Sequence, residues 1–160
     1  MTEAPRLSAA SVRALGVGIV RVVLGVAFVL GSVPRGLHGG SAVLAAVGGA
    51  LILVLIVQGQ RGRSGPTDFS AALPVPDAAQ FDPRWMGVLL ACIPSTIGVT
   101  AMALISIVFT PALAAVLGGV LIALGVLALW SWMQLVYRER AEEKRYWLER
   151  GPRPRLFVTR

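Results

Sequence analysis

Residues 85–137 contain no Asp, Glu, Lys, Arg or His. As one helix this stretch would run about 80 Å at about 1.5 Å per residue, well over the roughly 30 Å of a bilayer core. Thr110-Pro111 lies near its middle. Proline has no N–H and pushes the residue before it out of the helical region, so a tight turn is predicted there. The stretch reads as two spanning helices, about 85–109 and 112–137. Two further apolar stretches precede it, about 14–33 and 41–57, separated by the glycine-rich segment 34–40. The predicted fold is an all-α membrane protein whose four transmembrane helices form two tandem hairpins in a single domain.

The remaining segments are polar. Residues 58–84 carry Pro66, Pro74, Pro76 and Pro83 without sustained periodicity, and an irregular connection is expected. After residue 137, opposite charges recur at helix-neighbour spacing: Arg138 with Glu142, Arg140 with Glu143, Glu142 with Arg145, Arg145 with Glu149. Gly151-Pro152 then gives a stop signal. The fourth span is therefore expected to continue as a helix to about Arg150, with an extended tail completing segment 138–160. The first apolar stretch reads as a retained span rather than a signal peptide. It is interrupted by Arg21 and ends in Gly-Ser-Val-Pro without an A-x-A site.

Composition agrees with the pattern. Only 14% of the 160 residues are charged and 56% are hydrophobic, against about 25% charged in soluble domains. The net charge is +7. Because the basic residues flank apolar spans, the expected partner is anionic lipid rather than nucleic acid. Arg6 and Arg13 precede span one, Arg61, Arg63 and Arg84 lie between spans two and three, and the segment after span four is the most basic. Only Arg35 lies between spans one and two, and no basic residue between spans three and four. With four spans, all three basic regions fall on one side, which places both termini and the long connection in the cytoplasm at the plasma (inner) membrane. Trp85, Trp130, Trp132 and Tyr137 then gather at the same interface. Leu44-Ala-Ala-Val-Gly-Gly-Ala-Leu-Ile in span two resembles Leu113-Ala-Ala-Val-Leu-Gly-Gly-Val-Leu-Ile in span four, a weak repeat of the kind that tandem hairpins of one orientation produce.

Arg21 is the most informative single residue. It shares a helix face with Ala14, Gly18, Gly25, Phe28 and Ser32. Small residues mark helix–helix contact in membranes, so Arg21 is expected to point toward another helix, near the 90–96 region of span three, or else to snorkel to cytoplasmic phosphates. Span three carries a polar stripe of Thr96, Thr100, Ser106 and Thr110, and Pro94 frees the carbonyl of Leu90. Ala45 with Gly49, Ala114 with Gly118 and Ala115 with Gly119 have small-xxx-small spacing.

Classical chemistry is not visible. His38 is the one histidine and has no partner base or nucleophile in view, and a single cysteine, Cys92, allows no intramolecular disulfide. Asp68, Asp77 and Asp82 lack metal-ligand spacing. No metal, cofactor or catalytic residue is expected, and the chain reads as a non-enzyme. Proton-coupled carriers usually place an acid or histidine inside the membrane, and no span has one. The sequence points to a non-catalytic accessory, assembly or scaffold subunit that binds partner proteins or anionic lipid. The alternative is a homo-oligomeric small-solute transporter or pore, lined by Arg21 and the third-span hydroxyls.

Overall fold

In the computed structural model, which describes residues 5–61, 72–76, 79–93, 95–149 and 156–159, helix α1 (Ala10–Ser32) and the long helix α5 (Pro111–Glu142) run antiparallel. Gly18 faces Gly125, and Gly25 faces Gly118. A methyl group placed on Gly118 or Gly125 would lie 2.8 Å from the carbonyl oxygen of Gly25 or Gly18. Lipid tails are as apolar as leucine, so helices in a bilayer adhere through close packing, and glycine permits the closest backbone approach. The seven-residue spacing of each glycine pair is two turns, which keeps both on one face.

Helix α2 (Gly39–Arg61) follows a short 3₁₀ turn, Val33–Arg35, closed by Gly36 at φ 97. It packs on another side of α5, with Gly49 against the carbonyl of Val116 and Gly119 against that of Ala46. The single spanning helix expected over 85–109 is instead two, α3 (Arg84–Cys92) and α4 (Ser95–Phe109), bent by 57° at the break between them. They follow α1 in parallel order: Gly16 meets Val88, Arg21 meets Thr96, and Gly31 meets Ile107. Thr110 alone separates α4 from α5, and its carbonyl accepts the N–H groups of Leu113 and Ala114. The central apolar cluster is Phe28, Ala103 and Leu121, with Leu24, Val99, Ile107 and Leu117 packed around it.

Among the described residues three helices, α1, α2 and α5, are long and apolar enough to cross a membrane, or four spans if the bent pair counts as one. Their outer faces carry exposed Val23, Leu30, Leu44, Leu55, Ile105 and Phe109. The chain is a mostly helical membrane protein.

Five short strands make a sheet that the sequence pattern does not predict. Its order is β2 (Leu73–Pro74), β5 (Leu156–Thr159), β4 (Arg145–Glu149), β1 (Arg6–Ala9), β3 (Gln80–Phe81). Strand β4 is antiparallel to β1 and β5, while β1–β3 and β2–β5 are parallel. This corrects two expectations. Helix α5 continues past Tyr137 but ends at Glu142, not near Arg150, and residues 145–149 form a strand. Glu143 takes a left-handed conformation, φ 53, and the N–H groups of Glu143 and Lys144 both close on the carbonyl of Glu139. Helix-neighbour charge pairs contribute only a few tenths of a kcal/mol each. Burial of Leu7, Tyr146 and Phe157 in the sheet, each at most 6% exposed, outweighs them. The 58–84 connection is likewise not wholly irregular, since α2 extends to Arg61 and β2 and β3 lie within it. The sheet joins the start of α1, the approach to α3 and the segment after α5 at one end of the helices.

Candidate functional site

Arg21 is the central residue of α1, eleven positions from Ala10 and eleven from Ser32. At about 1.5 Å per residue it lies roughly 16 Å from either end, farther than an arginine side chain reaches. It turns inward instead. Its Nε donates to Thr96 Oγ1 at 2.8 Å and its Nη2 to Ser95 Oγ at 2.8 Å. Thr96 is buried, Arg21 is half-buried, and Ser95 is exposed on the molecule's side.

No Asp or Glu occurs in residues 10–61 or 85–137. Among the described residues the mid-span guanidinium thus meets two neutral hydroxyls and no carboxylate. Both hydroxyls belong to the first turn of α4, whose leading amides carry partial positive charge. The corner is electropositive and is suited to an anionic group.

The structure brings together only part of the predicted stripe. Thr96 reaches Arg21. Thr100 Oγ1 is buried with no hydrogen-bond partner among the described residues. Ser106 is buried a turn and a half farther on, and its carbonyl accepts the Thr110 N–H at 2.7 Å. Thr96, Thr100 and Cys92 contribute to an apolar groove of about 710 Å³ between α1 and the bent pair, with Val20 and Leu24 on its α1 side. Arg21 and Ser95 do not line it. Ser95, absent from the predicted set, is the second partner of Arg21; its position at the α4 start was the available signal. Pro94 lies outside the described residues, as do Asp68 and Asp77.

The predicted packing residues separate. Gly18 and Gly25 of α1 and Ala115 and Gly119 of α5 are buried, as is Gly49 of α2. Ala45 is only partly buried. The α2 face toward α5 is Ala42, Ala46 and Gly49, a correction by one position that follows from the 100° step per residue. His38 is exposed just before α2, and Cys92 is a buried thiol at the end of α3. Comparison with known proteins finds no matching family model, curated protein or solved structure.

Proposed function

We propose that the chain is a four-span, non-catalytic accessory or assembly subunit of the plasma membrane, with both termini and the 58–84 connection in the cytoplasm. The observation that supports this is Arg21: a mid-span cation, half-buried, held among the described residues by the Ser95 and Thr96 hydroxyls. A charge at that depth costs several kcal/mol unless an opposite charge meets it. A second copy of the chain brings another arginine and no acid, because the spans contain none. Lipid phosphate lies about half a bilayer away. A carboxylate on a transmembrane helix of a different protein is the group that completes the corner. The basic segments at the sheet end favour anionic lipid on the cytoplasmic side.

The 57° break beside Arg21 supports a second reading. Broken helices with exposed N-termini bind anionic solutes in transporters, and a homo-oligomer of this chain would then pass small anions.

Purification in mild detergent separates the two. A foreign membrane protein in fixed stoichiometry, lost in Arg21→Leu, supports the subunit reading. A homo-oligomer with no foreign subunit, whose anion flux in liposomes falls in the same variant, supports the transporter.

A further inference from the structure

Where the sheet meets the helix ends, a cavity of about 440 Å³ is lined by Ser11, Arg13, Asp82, Glu139 and Arg145. Phe81 and Trp147 form an aromatic wall, their ring centroids 4.6 Å apart. The four charged residues come from four places in the fold: the first turn of α1, the residue after β3, the last turn of α5, and β4. Among the described residues none of the four forms an ion pair with another, the one salt bridge there being Lys144 with Glu142. Glu139 is held by the Tyr146 N–H at 3.2 Å, and Trp147 by its Nε1–H on Thr159 Oγ1 at 3.1 Å. Opposite charges that line one cavity without meeting leave room for a ligand carrying both signs. Helix α1 adds to the positive side, since Ala9 supplies no side-chain cap and the first turn has no acid.

The cavity sits at the helix ends, the level of lipid headgroups for helices that span. We propose that it binds a phosphoethanolamine group. The phosphate lies on the Arg13 and Arg145 guanidiniums and the Ser11 hydroxyl, which suit its charge and oxygens. The ammonium lies between the Asp82 and Glu139 carboxylates and the aromatic wall, where ring faces attract cations. This site is separate from Arg21 and does not depend on the role assigned there. The same chemistry is offered by phosphatidylethanolamine and by soluble glycerophosphoethanolamine.

Native mass spectrometry of the full chain in mild detergent tests the assignment. The probes are phosphatidylethanolamine, phosphatidylglycerol and phosphatidylcholine with identical acyl chains. The wild type retains phosphatidylethanolamine about tenfold more tightly than the other two, the contribution of one charge-assisted hydrogen bond. Asp82→Asn removes that preference while phosphatidylglycerol retention stays, and Arg13→Gln weakens retention of all three. Displacement by glycerophosphoethanolamine assigns the free headgroup as a ligand, and retention against it assigns the membrane lipid. Equal retention of the three lipids by the wild type overturns the proposal, and that comparison needs no variant to fold. Unchanged selectivity in Asp82→Asn, or unchanged retention of all three lipids in Arg13→Gln, overturns it as well.

Discussion

The Nε of Arg21 donates to Thr96 Oγ1 across 75 residues of sequence, at 2.8 Å. This bond ties the middle of α1 to the start of α4, two helices that run parallel. Arg21→Leu removes the desolvated charge, so the folded monomer should be neutral or slightly stabilised in detergent melting. A bound acidic partner should be lost, at about 2–5 kcal/mol for a truncated buried pair. Retention of the foreign subunit at wild-type stoichiometry would remove the proposed role.

Glycine at the α1–α5 contact is required by distance rather than by conformation. Gly118→Val would drive its side chain into the carbonyl of Gly25 and into Phe28 and Val29. Overpacking of this kind costs about 1–3 kcal/mol. Gly48 on α2 has nothing within 4 Å of an added methyl group, and Gly48→Ala should be neutral. Thermal melts of the two variants side by side check the contrast.

Helix α5 ends on a glutamate in a glycine conformation. Left-handed backbone costs an L-residue about 1–2 kcal/mol, and Glu143 is the one non-glycine residue with positive φ among those described. Glu143→Gly should stabilise the junction of α5 and β4 by about 1 kcal/mol. Hydrogen exchange at residues 144–149 should slow accordingly. Faster exchange there would show that the glutamate side chain holds the turn.

The sheet should weaken at high pH. Burial, and then the hydrogen bond to Glu142 at 2.9 Å, push the Tyr146 phenol above its ordinary value. An unfolded tyrosine ionises near pH 10. Below that both states hold the proton, and the contribution is fully present. As pH rises from about 10 through the raised native value, the unfolded state loses its proton first and stability falls. Tyr146→Phe should flatten this loss in pH-dependent melts, while the wild type shows it.

Cysteines engineered at residues 38 and 63 report the orientation. A membrane-impermeant thiol reagent added to intact cells should label residue 38. Residue 63 should react only after the membrane is breached. The opposite pattern would invert the proposed topology.

The apolar cores of α1, α2 and α5 were legible because the bilayer imposes a local rule, whereas the break between α3 and α4 was not. A stretch of about 20 apolar residues without charge meets it by composition alone, with backbone hydrogen bonds satisfied within the segment. Thr110-Pro111 marked the α4–α5 turn for an equally local reason, the missing proline N–H. The inward face of Arg21 followed from helical spacing to Gly18 and Gly25. Tertiary structure decided what local rules cannot reach. The sheet pairs Ser8 with Leu148 and Leu73 with Phe157, from strands of two to five residues. Strands so short carry no periodicity to read, and their pairing is set by contacts across most of the chain. The charges after residue 137 favoured a helix by a few tenths of a kcal/mol per pair. Tyr146 and Phe157 are instead buried in the sheet that strand β1, with its buried Leu7, brings in from the other end of the chain. Arg21 likewise gained Ser95 as well as Thr96 only where the α3–α4 break set the first turn of α4 against α1.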